Sequence, residues 1–117
     1  MPDETIAQKS RAFAIRIVRL YKHLSTKKQE YVLSRQLLRA GTSIGANARE
    51  AMYGHSRKEF ICKMAVALKE AVETEYWLDI LHATSYLSQK EFDSIMPDCQ
   101  DICRMLTKIV KNSKEKD

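Results

Sequence analysis

Apolar residues recur alternately four and three positions apart in four separate stretches of the chain, the spacing that lays a single stripe along an α-helix. The first stripe is Ile6, Phe13, Ile17, Leu20 and Leu24. A polar interval, Ser25 to Lys28, separates it from Leu33, Leu37, Ala40, Ile44, Asn47 and Ala51, in which Asn47 is the one polar member. The third stripe is Phe60, Met64, Ala67, Ala71, Thr74, Leu78 and Leu81, and the fourth is Phe92, Met96, Cys99, Cys103, Leu106 and Val110. Helix ends are marked too. Ser56-x-x-Glu59 and Ser88-x-x-Glu91 have the form of capping boxes, in which the serine hydroxyl accepts one free N–H and the glutamate reaches back to another. Gly54 offers a left-handed stop after the second helix. Pro97 falls inside the fourth, where a proline costs about 3 kcal/mol, so a kink or a break is expected there.

Long helices joined by short connections lie beside one another in opposite directions, so the pattern predicts an all-α, antiparallel, up-down-up-down four-helix bundle. The expected bundle spans residues 1–112, with 113–117 a frayed polar tail. A three-helix fold with the first two segments fused is the main alternative, and Ser25 to Lys28 argues against it. A length of 117 residues allows one core, and three glycines with two prolines fit a turn-poor helical chain.

Charge adds an asymmetry. The whole chain is +5, but residues 1–49 carry ten Lys/Arg against three Asp/Glu, whereas residues 71–101 carry only Lys90 against seven acids. Lys9, Arg16, Arg19 and His23 share a stripe on the first helix, and Arg35, Arg39 and Arg49 share one on the second. Arginine suits phosphate, and it suits carboxylate across a subunit contact equally well. Arg16, Arg19, Arg35, Arg39 and Arg49 are therefore the candidate nucleic-acid-binding residues. Glu70, Glu73, Glu75 and Asp79 of the third helix are the acids such arginines would meet on a neighbouring subunit.

No constellation of catalytic residues emerges. His23, His55 and His82 are scattered, and Gly41 and Gly45 lack the Lys-Ser/Thr of a phosphate loop. Glu75, Asp79 and His82 share a face, yet a di-metal carboxylate centre needs two Glu-x-x-His pairs, and the chain has only Asp79-x-x-His82. Cys99 and Cys103 are half a zinc site whose other half no Cys or His pair supplies, so they read as small buried hydrophobes. No enzyme, cofactor, metal or small-molecule substrate is expected. The odd count of three cysteines and the lack of a leader-like start at Met1-Pro2-Asp3-Glu4-Thr5 predict a reduced, cytoplasmic protein. The longest apolar run, Met64 to Leu68, is five residues, so no membrane partner is expected.

The second helix has two odd features. Gly41 and Gly45, followed by Ala48, form a small-residue stripe costing about 0.8 to 1 kcal/mol per glycine relative to alanine, and serve either a tight crossing within the chain or a subunit contact. Asn47, on the core stripe, needs a hydrogen-bond partner, on a neighbouring helix or at Ser43 one turn back.

The run from Arg39 through Thr42-Ser43-Ile44-x-x-Asn47-x-x-Glu50, with Glu70, Glu73 and Glu73-x-x-x-Trp77-Leu78 downstream, resembles the four-helix bundle proteins encoded in intervening sequences of bacterial 23S ribosomal RNA genes, also labelled S23 ribosomal proteins. The likeness extends over nearly the whole chain. Where that family often has Glu-Gly, this chain has Glu50-Ala51, so the second helix is expected to continue through Met52. The resemblance implies a ring-like homopentamer without catalytic activity, and a relative in the basic accessory protein of diversity-generating retroelements, which binds a reverse transcriptase and nucleic acid. Partners expected on this basis are further copies of the chain and RNA or a nucleic-acid-processing protein. The positions matching the pattern are Arg39, Ser43, Asn47, Glu50, Glu70, Glu73 and Trp77. With Gly41 and Gly45 they are the candidate assembly or internal polar-network residues.

Overall fold

The computed structural model describes residues 5–115. They form four helices and, among the described residues, no strand: α1 (Ile6–Thr26), α2 (Leu33–Met52), α3 (Arg57–Ala83) and α4 (Gln89–Glu115). Helix α1 lies beside α2 and α4, and α3 lies beside α2 and α4, so the chain winds round a square whose diagonal pairs do not meet. The bundle measures 47 × 25 × 24 Å. Each helix contributes fully buried residues to one continuous core: Ile17 and Leu24, Leu37 and Ile44, Met64 and Leu78, Ile102 and Leu106. The periodic stripes supply most of it, joined by Ala48, Leu87, Ile95 and Ile102 from outside them, with Leu20, Leu33, Phe60, Phe92 and Cys103 half-buried at its edge. Asn47 is the exception. It is also half-buried, and Ala48 takes the core position while Asn47 Nδ2 donates to the Ser43 carbonyl at 2.8 Å and to its hydroxyl at 3.1 Å.

The helix ends follow local chemistry, not always as expected. Thr5 and Gln8 form a reciprocal capping box at α1, and Ser88 and Glu91 form another at α4. At α3 the box is split, because the Ser56 hydroxyl accepts from Glu59 N at 3.1 Å while the Glu59 carboxylate reaches one residue further back to His55 N at 2.6 Å. Gly54 is not left-handed, since none of the described glycines has positive φ. Its lack of a side chain serves space instead: a Cβ there would lie 3.3 Å from Glu59. The left-handed residues are Gln29 (φ 55°) and Ser85 (φ 70°) in the other two connections. Ser85 is the turning residue of a Schellman motif, with Tyr86 N donating to Leu81 O at 2.9 Å and Ser85 N to His82 O at 3.1 Å.

Helix α4 runs uninterrupted through Pro97. The break considered at that position does not occur. Helix α4 continues to Glu115, and Arg57 Nη2 donates to the Ser113 carbonyl at 3.1 Å, tying that turn to the start of α3. The remainder of the expected tail, Lys116 and Asp117, and the start of the expected bundle, Met1 to Glu4, lie outside the described residues.

Candidate functional site

The five arginines singled out by charge divide into two groups. Arg16 is committed to α4: Nη1 donates to Asp98 Oδ2 at 2.7 Å and to the Ser94 carbonyl at 3.1 Å, and Nη2 donates to the Ser94 hydroxyl at 2.7 Å. Pro97 has no N–H to offer the Asp93 carbonyl, and Arg16 binds the next carbonyl along, that of Ser94, beside this gap in the helix ladder. Arg39 is committed to α3, where its guanidinium bridges Glu70, at 3.2 Å, and Glu73. Glu73 also accepts from Trp77 Nε1 at 2.9 Å. This arginine–two-glutamate–tryptophan network joins α2 to α3 within one chain. Arg16 and Arg39 are thus removed from the free basic surface, because each already faces its own carboxylates.

Arg19, Arg35 and Arg49 are exposed and, among the described residues, have no acidic partner. Arg19 lies towards α4, in a groove shared with His23, Lys90 and Glu91. Arg35 and Arg49 are two heptads apart on one outward face of α2. Arg11, outside the basic stripe read from the sequence, joins Arg49 across an open groove of about 740 Å³ between α1 and α2. Its floor is made of Ala7, Ala14, Gly45 and Ala46, and Met52 and Tyr53 close one end. Met52 and Tyr53 are 50% and 74% exposed, unusual for large apolar side chains and a sign of a contact surface. Arg11 lies outside the Lys9-Arg16 stripe because it is two residues after Lys9 and five before Arg16, which places it about 140 to 160° round the helix.

The remaining matched residues have separate roles. Gly41 is buried against Ile17, where a Cβ would lie 2.8 Å from both Cγ atoms, so its small size serves the α1–α2 crossing inside the chain. Gly45 faces Ser10 more loosely, where a Cβ would lie 3.3 Å from the nearest atom, and opens onto the outer groove. Glu50 is exposed and accepts from Lys63 Nζ at 2.7 Å. Ser43 anchors Asn47, as described.

The acidic face of α3 is dispersed. His82 stacks on Phe92, with ring centroids 4.2 Å apart, and its Nε2 lies 3.1 Å from Gln89 Oε1. Asp79 is exposed and does not join Glu75 and His82 in a ligand cluster. Glu75 instead faces α4, where its carboxylate and the sulfurs of Cys99 and Cys103 all lie within 4.8 Å of one another. The hydrogen-bonding Cys103 thiol, burial and the Glu75 charge push the Cys99 thiol well above its ordinary range, which keeps it protonated. Among the described residues, no helix is long and apolar enough to cross a membrane.

Residues 3–108 match the family model described as 23S rRNA-intervening sequence protein. Among solved structures the chain is similar to a protein of unknown function from the S23 ribosomal protein family of Bacteroides thetaiotaomicron, at 50% identity over 92% of this chain and 99% of that one, with a TM-score of 0.90. No curated protein matches it.

Proposed function

Because the chain belongs to the 23S rRNA-intervening sequence protein family, we propose that it is a non-enzymatic bundle subunit that self-assembles and binds RNA through the outward face of α1 and α2. The observation that carries this reading is the sorting of the arginines. Arg11, Arg35 and Arg49 face outward with no acid partner among the described residues, while Arg16 and Arg39 are paired with acids of the same chain. Three guanidinium groups that engage phosphates should release about as many counterions, which weakens binding about 30-fold between roughly 50 and 200 mM salt. Fluorescence anisotropy with a structured RNA measures this. Arg11→Glu combined with Arg49→Glu should abolish binding, and no binding by the wild-type chain at low salt would refute the proposal.

A second reading, a protein-binding scaffold with no nucleic-acid role, is favoured by the apolar floor of the α1–α2 groove and by exposed Met52 and Tyr53. Self-assembly fits either reading, and the pentamer implied by the resemblance is the expected count. Mass measurement in solution over a range of concentrations tests it. Ala46→Arg, at an exposed position on the groove floor, should dissociate the assembly while leaving the bundle folded. A monomer at every concentration would exclude self-assembly.

A further inference from the structure

The geometry points to a site for a thiophilic divalent cation, Zn²⁺ above all, formed by Cys99 and Cys103 of α4 and Glu75 of α3. Residues four apart on a helix lie one above the other on the same face, which directs both thiols to the seam with α3. Glu75 reaches into that seam from the opposite wall, and one ligand atom from each of the three side chains lies within 4.8 Å of the others. Tetrahedral zinc, with Zn–S of about 2.3 Å and Zn–O of about 2.0 to 2.2 Å, requires ligand atoms roughly 3.5 to 3.8 Å apart. The set is therefore about 1 Å from closing, a distance that side-chain rotation alone can cover on the half-buried Glu75 and Cys103.

The acids of the bundle point the same way. Glu50, Glu70 and Glu73 each have a cationic partner, and Glu30 and Glu91 sit on helix N-termini. Glu75 is half-buried and, among the described residues, has neither ion pair nor hydrogen bond. The Cys99 thiol donates to the Ala71 carbonyl at 3.5 Å, an ordinary distance for sulfur, which leaves its sulfur lone pairs free towards Cys103 and Glu75. A role as core filler accounts for the burial of Cys99 but not for an unpaired carboxylate against two thiols. Binding would displace both thiol protons to solvent, and the two thiolates and one carboxylate so formed suit a soft cation, with the half-exposed side of the seam open for a fourth ligand. The bound ion would strap α4 to α3 on the C-terminal side of Pro97, whose missing N–H leaves the helix ladder one bond short in the turn before it.

The test is titration of the full chain, reduced and stripped with a chelator, with Co²⁺ as the probe. A single equivalent should produce a sulfur-to-cobalt charge-transfer band, which Zn²⁺ then abolishes, and Zn²⁺ should raise the melting temperature. Cys103→Ala should eliminate the band, and Glu75→Gln, which leaves the core untouched, should weaken binding at least tenfold. Cys62→Ser, at an exposed and distant thiol, should leave the band intact. The site is refuted if no charge-transfer band appears, if the band is unchanged in Glu75→Gln, or if Cys62→Ser removes it. Should Cys103→Ala fail to fold, Glu75→Gln and Cys62→Ser still decide the matter.

Discussion

Replacing Glu30 should destabilise the bundle more than the loss of an ordinary helix cap. Val32, the residue preceding α2, offers no side-chain cap. Glu30 curls back from the connection instead: Oε2 accepts from Val32 N at 3.2 Å and Leu33 N at 3.0 Å, and Oε1 accepts from Ser34 N at 2.6 Å. Ser34 Oγ returns a bond to the Glu30 carbonyl at 2.8 Å. Glu30 is only 8% exposed, so water cannot readily replace the carboxylate. Loss of a one-bond cap costs about 0.5 to 2 kcal/mol. Three donors orphaned together, at the positive end of the helix dipole, raise the expected cost of Glu30→Ala to about 2 to 3 kcal/mol. Glu30→Gln keeps one acceptor oxygen and should lose about half of that.

The charge dependence fixes the sign of a pH effect. Burial pushes the Glu30 carboxyl up, but the bonds from Leu33, Ser34 and Val32 outweigh it and hold the group below its ordinary value of 4.5. A carboxylate with a depressed folded value stabilises fully above its unfolded value and loses that contribution as pH falls through the folded one. Urea unfolding followed by circular dichroism should thus show a wild-type advantage over Glu30→Gln at neutral pH that shrinks below about pH 4. Glu91, also depressed, is common to both proteins and cancels. Equal stability of Glu30→Ala and wild type at neutral pH, or an advantage unchanged at pH 3 and below, would refute the capping argument.

Other substitutions test the packing and turn arguments by the same unfolding measurement. Gly41→Ala should destabilise by about 1 to 3 kcal/mol despite its better helix propensity, because the new methyl meets the buried branch of Ile17. Gly45→Ala, with its nearest contact at 3.3 Å, should be close to neutral, and an equal loss at both sites would contradict the distinction. Ser85→Gly should stabilise by roughly 0.5 to 1 kcal/mol by relieving the left-handed backbone. Glu73→Ala should cost about 1 kcal/mol and alter the fluorescence of Trp77, whose indole N–H loses its acceptor.

What could be read from the sequence was whatever had a period. The stripes located all four helices because burial on one face is a local, repeating constraint. The chain continues helically through Met52 as the Glu50-Ala51 pair suggested. Features that depend on a second helix were hidden. Asn47 looked like a core residue because the spacing drifts by one position, and only packing against the other helices selects Ala48. Propensity alone predicts a kink or a break at Pro97, whereas tertiary contacts, with Arg16 donating to the Ser94 carbonyl, accompany a continuous helix. Glu75 lay one residue off the inward stripe of α3, and nothing in linear spacing pairs it with two cysteines on α4. Left-handed Gln29 and Ser85 carried no glycine signal at all.

The charge asymmetry is narrower than its arithmetic suggested. Three of the ten Lys/Arg in the basic first half, and one histidine, are matched to acids of the second half within one chain: Lys9 to Asp101, Arg16 to Asp98, Arg39 to Glu70 and Glu73, and His23, when protonated, to Glu91. These pairs are largely exposed, so each contributes little stability, but together they join α1 to α4 and α2 to α3 in the register that the core also demands. Pairing between subunits is not needed to account for Glu70 or Glu73, since Arg39 of the same chain already occupies them. What an external partner can meet is the remainder, which includes Arg11 and Arg49 on a small-residue groove, Arg35 further along the outward face of α2, and Arg19 on a separate side. A polyanion and a second protein surface would use that remainder differently. RNA draws on the guanidinium groups and responds to salt, whereas a protein partner draws on the groove floor with Met52 and Tyr53 and responds to Ala46→Arg.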